Sequence, residues 1–174
     1  MNIYFIRHAE PDYSEVKETD PYTFGILSPL SKRGVEMAKE LRSKLPKDNC
    51  IIISSPYVRA LQTASIFAEG HDVIIERQLH EWYPAKKFNI TVEEYFGRDV
   101  IYKDRYRRNL DVDFLDIETK DEMVERVSKV LEKYKNETKD IYIFAHSRLF
   151  AVYLESLGIE DKHMDFCEVR NIKL

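Results

Sequence analysis

The chain has 174 residues, a length that fits one domain able to bury a core. Hydrophobic residues make up 44% and charged residues 33%, as in soluble globular proteins, and the formal net charge of −4 argues against a nucleic-acid binder. An acidic total leaves an anionic small molecule open, because a local cationic pocket decides that. The two cysteines, Cys50 and Cys167, make no disulfide framework, and Cys50 in the run CIII reads as a small buried hydrophobe. Neither a signal peptide nor an apolar run of membrane-spanning length is apparent, so the expectation is a cytoplasmic protein without membrane contact.

The first element is the apolar run NIYFIR (2–7), of strand type, which ends in Arg7-His8-Ala9-Glu10. The segment 30–45 reads as a helix capped by Ser31, with Val35, Ala38, Leu41 and Leu45 at helical spacing. The β-branched run CIIIS (50–54) predicts a buried strand. Residues 55–70 follow as a helix, with Ser55 as cap, Pro56 at the first helical position and Gly70 as stop. DVIIER (72–77) reads as another strand. The stretch 80–118 is aromatic, charged and less regular, with a helix expected from Thr91, which forms a capping-box pair with Glu94. A long helix begins near Thr119, with Glu122 three residues on and an apolar stripe of Met123, Val127, Val130, Leu131 and Tyr134. DIYIFAH (140–146) is a strand, 147–158 a helix stopped by Gly158, and the tail EVRNIKL a candidate last strand.

Strands alternating with helices predict an α/β domain with a mostly parallel, covered sheet. Ligands of such sheets sit beyond the carboxyl ends of the strands. Three strand ends then deliver Arg7, His8, Arg59 and His146 to one sheet edge. Two guanidiniums can fork onto phosphoryl oxygens. The helices after Ser55 and His146 add N-terminal dipoles and free N–H groups, which favour an anion. Imidazoles beside arginines should resist protonation, and a neutral imidazole has the lone pair to attack phosphorus. The set suits phosphoryl transfer through a phosphohistidine. Each residue alone has a plainer reading: Arg7 as an ion-pair partner of Glu10, Arg59 on a solvated helix face, His146 as a satisfied polar cap.

The motifs FIRHAEP, LSKRG, SSPYVRALQTA, LHEW and FAHSRLF, in that order, resemble those of the histidine phosphatase superfamily, the phosphoglycerate mutase-like group. The resemblance is weakest across 85–118. It implies a three-layer sandwich whose mainly parallel sheet carries one antiparallel strand, and a chemistry with no metal and no cofactor. It implies that His8 is the nucleophile and that Arg7, Arg59 and His146 hold the transferred phosphoryl group, with His146 also counted among the catalytic groups. Glu81 would protonate the leaving oxygen and then help activate water, with a surface carboxylate as the plainer alternative. His80 reads as a spacer. The pattern usually carries glycine where this chain has Ala9 and Ser147. Ser147 puts a hydroxyl near the phosphoryl pocket, where it caps the following helix, donates to phosphate or crowds the site; the cap is favoured.

One domain over 1–174 is expected, with 82–118 as a modest cap-like insertion. Its basic run, with Arg98, Lys103, Arg105, Arg107 and Arg108, reads first as a solvated face and second as a contact for an anionic substrate. Trp82, Tyr83 and Phe88 divide between pocket wall and core packing. The leading function is a metal-independent phosphatase of a small phosphorylated molecule. Its rivals are a mutase, whose relatives are longer; a protein phosphohistidine phosphatase, whose relatives lack the donor acid; a non-catalytic phospho-ligand binding module; and a metal hydrolase, for which the sequence has no ligand-spaced motif.

Overall fold

Side chains of near-continuous apolar runs point alternately to the two faces of a five-stranded sheet, whose inner strands are buried on both. The computed structural model describes residues 1–14, 25–46, 48–82, 94, 97, 98, 100, 101, 104, 105, 108, 117–160 and 163–172. Among these, the strands are β1 (Ile3–Arg7), β2 (Cys50–Ser54), β3 (Val73–Ile75), β4 (Asp140–Ala145) and β5 (Val169–Ile172), in spatial order β3-β2-β4-β1-β5. All pairings are parallel except that of β5 with β1. The long helices are α1 (Lys32–Lys44), α2 (Val58–Ala68), α3 (Lys120–Glu132) and α4 (Ser147–Ser156). The α/β class and the mainly parallel sheet are as the strand–helix alternation predicted, and the one antiparallel strand is as the family resemblance implied.

The alternation assigns each strand residue to a layer. Ile6, Ile52, Tyr142 and Phe144 pack with Leu41 of α1 and with Ala64 and Phe67 of α2. Phe5, Ile53, Ile141 and Ile143 face the other way, onto Met123, Val127 and Val130 of α3 and Leu149 and Phe150 of α4. Phe5 stacks on Phe150 with ring centroids 4.4 Å apart. The sheet is thus the middle layer of three. No helix among the described residues is long and apolar enough to cross a membrane.

Local signals held at several ends. Ser31 caps α1 by accepting from Gly34 N, and Thr119 and Glu122 complete a capping box on α3. Gly34 is fixed by crowding, since a Cβ there would lie 2.1 Å from the Glu10 carbonyl oxygen. Other boundaries moved. The third strand covers only 73–75, because a 3-10 turn over Arg77–Leu79 follows it. Helix α2 starts at Val58 with Tyr57 at the N-cap position, not at Pro56 with Ser55 as cap. The reason lies in the site, where the Ser55 hydroxyl is engaged by a histidine. Cys50 is half-buried against the α1–α2 core layer, and burial pushes its thiol up. The expected helix start at Thr91, most of the 82–118 insertion, and Tyr83, Phe88, Lys103 and Arg107 lie outside the described residues.

Candidate active site

Register brings the chemistry together. Arg7 pairs with Ala145 and Ser54 with Phe144, so β1, β2 and β4 end level. The ladder runs one step further, through His8 N donating to Ala145 O at 3.0 Å and Ser55 N to Phe144 O at 2.8 Å. His8, Ser55 and His146 therefore leave the sheet side by side, and Arg59 reaches them from the first turn of α2.

Each proton on the two imidazoles can be placed from its partners. His8 Nδ1 lies 2.7 Å from the Ala9 carbonyl, which only accepts, so Nδ1 carries the hydrogen. His8 Nε2 then holds the lone pair, and Arg59 Nε donates to it at 3.0 Å. His146 Nδ1 faces Arg59 Nη2 at 3.3 Å, which only donates, so the His146 hydrogen sits on Nε2 and points to Ser55 Oγ at 2.8 Å. The two rings stand edge to face at 5.3 Å. Burial holds both imidazoles well below the ordinary histidine range, and the Arg59 guanidinium adds to it. Neutral imidazoles were expected from the arginines; desolvation is the larger cause.

Arg7 does not pair with Glu10, which instead accepts from Ser31 Oγ at 2.7 Å and faces Arg33 at 3.5 Å. Arg7 Nη1 donates to Met164 O at 2.6 Å and meets His163 Nε2 at 2.8 Å, while its guanidinium lies 4.0 Å over the Phe166 ring. Its Nε is buried and has no hydrogen-bond partner among the described residues. A guanidinium donor without a partner, on the residue next to His8, can still bond the oxygen of an anion. Arg59 is buried rather than on a solvated face, and its Nη1 donates to Gly25 O at 2.5 Å.

Glu81 arrives straight after the 3-10 turn. Its Oε1 accepts from Trp82 N at 2.9 Å and Leu149 N at 3.1 Å, and its Oε2 from Arg148 N at 3.4 Å. It is the foremost charge raising Arg7, against the larger lowering effect of burial. The carboxylate thus occupies the start of α4, whose N–H groups at Arg148 and Leu149 are not free for an anion as expected. Oε2, with a single long contact, is the more open oxygen.

Ser147 is the first residue of α4 and not its cap. Its hydroxyl oxygen accepts from Met164 N at 3.1 Å and lies 3.0 Å from His163 Nδ1. Since Arg7 donates to His163 Nε2, the Nδ1 hydrogen goes to Ser147. The residue read as a departure from pattern is the anchor for the 163–166 segment. Sequence reasoning missed that segment. His163 and Phe166 follow a helix stop with no periodicity to mark them, and the odd serine at 147 was the one available signal. It also missed Ser55 and Tyr57, whose ring packs on His146 at 5.0 Å; both lie inside the quoted SSPY motif. His80 is more than a spacer, with its ring stacked on Tyr57 at 6.4 Å. Trp82 is buried in the core layer with its indole N–H donating to Glu118 O at 2.8 Å. Among the described residues, no cluster of three or more His, Cys, Asp or Glu is arranged to hold a metal ion.

The family model for the histidine phosphatase superfamily (branch 1) matches residues 3–174. The chain belongs to that superfamily. Solved structures share the fold at low identity. The Thermus thermophilus protein TTHB049 is 23% identical, with 99% of this chain and 93% of that one covered and a TM-score of 0.70. A mutant phosphoserine phosphatase from Entamoeba histolytica, in complex with phosphoserine, is 22% identical over 98% and 89% of the two chains, with a TM-score of 0.73. Bacillus stearothermophilus YhfR reaches a TM-score of 0.75 at 19% identity, over 99% and 91%. No curated protein sequence matches. For this histidine phosphatase superfamily member, those likenesses establish the fold; the chemistry has to be argued from the side chains.

Proposed function

We propose that the protein is a metal-independent phosphatase that hydrolyses a small phosphorylated metabolite through a phosphohistidine. The observation that carries this reading is the His8 tautomer. With Nδ1–H held by the Ala9 carbonyl, the Nε2 lone pair faces the Arg59 guanidinium, and the preceding residue, Arg7, has an Nε without a partner among the described residues. A phosphomonoester seated between the arginines would draw the Arg59 donor onto a phosphoryl oxygen and leave Nε2 free to attack. The P–N bond forms as the P–O ester bond breaks, and the bonding pair leaves with the alkoxide oxygen. Glu81, in its acid form, gives that oxygen its proton. Water then attacks phosphorus, Glu81 takes the water proton, and the P–N pair returns to Nε2 as inorganic phosphate forms. Arg7, Arg59 and neutral His146 stabilise the transferred group throughout, which is most of what phosphoryl transfer asks of a protein.

The test measures phosphate released from a panel of phosphomonoesters in EDTA by the wild type and by His8→Ala. Phosphoserine belongs in the panel because one structural relative binds it. Release by the wild type alone, with trapped phosphohistidine, supports the reading. Isomerisation of a phosphorylated acid without phosphate release would replace it with the mutase reading, and no turnover of any ester would refute it.

A further inference from the structure

The loop that presents Glu81 is held by a residue that the site chemistry does not use. We infer that Arg126, on α3, is a positioning residue that sets Glu81 in the active site through the backbone of Gln78 and His80. The side chains of Arg126 and Glu118 are only 7% and 14% exposed. Arg126 Nε and Nη2 donate to the two Glu118 carboxylate oxygens at 2.5 and 3.0 Å. Arg126 Nη1 donates to the carbonyls of Gln78 at 2.5 Å and His80 at 2.7 Å. On the other side of Glu81, the Trp82 indole N–H donates to the Glu118 carbonyl at 2.8 Å. Residues 80 and 82 are therefore both tied to the Arg126–Glu118 pair, and Glu81 between them reaches the start of α4.

A buried ion pair is weak evidence for a stability role, since a packed apolar pair often serves as well. What an apolar pair would not supply is donors for the Gln78 and His80 carbonyls. Those carbonyls face α3 because the chain turns there, and that turn is what delivers Glu81. The guanidinium fork matches a carboxylate and two carbonyls at once, which lysine would not.

The proposal rests on the phosphatase reading only in giving Glu81 a proton to move. The test uses the full chain with Arg126→Met/Glu118→Leu, a pair that removes the hydrogen bonds without stranding a buried charge. Arg126→Lys serves if the double variant does not fold, since it keeps the charge beside Glu118 but loses the fork that reaches both carbonyls. Two readouts are taken. The first is amide exchange at Leu149, whose N–H is held by Glu81. The second is turnover of an aryl phosphate, with a good leaving group, against an alkyl phosphate, with a poor one. Glu81→Gln is run beside it. The expectation is lost protection at Leu149, with alkyl turnover down about 10- to 100-fold and aryl turnover little changed, because a general acid matters most for the poor leaving group. Retained protection at Leu149 overturns the inference. So does an equal fall of both esters in the double variant while Glu81→Gln is selective for the alkyl ester. If Glu81→Gln shows no selectivity, the donor role falls instead, and the Leu149 exchange alone decides whether Arg126 places Glu81.

Discussion

Acidification should unfold this protein through the two histidines of its site. His8 and His146 are buried, and burial first, then Arg59, holds both below their ordinary range. In the unfolded chain both return to about 6.5. Between that value and the lower folded one, the unfolded state binds more protons, so stability falls as pH falls. The sign is opposite to that of a histidine stabilised by a carboxylate. Each site contributes a slope of at most about 1.4 kcal/mol per pH unit, so the pair contributes at most about 4 kcal/mol between pH 6.5 and 5. That is a large part of a typical domain stability of about 5–15 kcal/mol. His80 is also lowered, again mainly by burial, and steepens the same limb. Urea midpoints of the wild type and of His8→Asn/His146→Gln, measured from pH 8 to pH 5, isolate the effect. The double variant should show a much flatter acid limb. Parallel curves would refute the reasoning, because the wild-type acid sensitivity would then belong to other groups.

Three further outcomes follow from the packing. Phe67 is fully buried against the rings of Tyr142 and Phe144, 5.2 and 5.1 Å away, so Phe67→Ala should cost about 3–5 kcal/mol in chemical denaturation. Gly34→Ala forces α1 away from the Glu10 carbonyl and should cost about 1–3 kcal/mol in the same assay; turnover should fall too, because Glu10 lies two residues from His8. Ser147→Ala leaves the buried Met164 N–H without its acceptor and should cost about 1–3 kcal/mol, with KM rising as the segment beside Arg7 loosens. Unchanged KM there, with unchanged stability, would show that the serine does not anchor that segment.

The sheet and its edge were legible because they depend on patterns local in sequence. A β-branched run such as CIIIS, or an apolar run ending in Arg-His, announces both a strand and where it stops, and parallel strands stop together. The same reasoning brought Arg7, His8, Arg59 and His146 to one edge. It failed where a side chain had two available partners. Ser55 looks like a helix cap by position, yet its hydroxyl lies 2.8 Å from His146 Nε2, and the helix begins three residues later. Ser147 also looks like a cap, but its hydroxyl meets His163, sixteen residues on. Neither competition is visible without the fold, because the winning partner is distant in sequence.

Arg126 shows the limit most clearly. It sits within the helical repeat beside the stripe of Met123, Val127 and Val130, where any charged residue reads as the solvated flank of an amphipathic helix. Two of its acceptors are backbone carbonyls, which have no letter in the sequence. A motif search finds residues that touch substrate, because chemistry restricts their type. It passes over residues that hold those groups through the main chain, because the acceptor could belong to any amino acid. In this site the arginine on α3 and the serine at the head of α4 are of that second kind. Arg7, His8 and His146 rest on strand ends that the sheet itself aligns, whereas Glu81 lies on a turn that needs tying from outside. On the proposed phosphatase reading, damage to the Arg126 tie should therefore appear first in protonation of the leaving group, and only later in binding of phosphate.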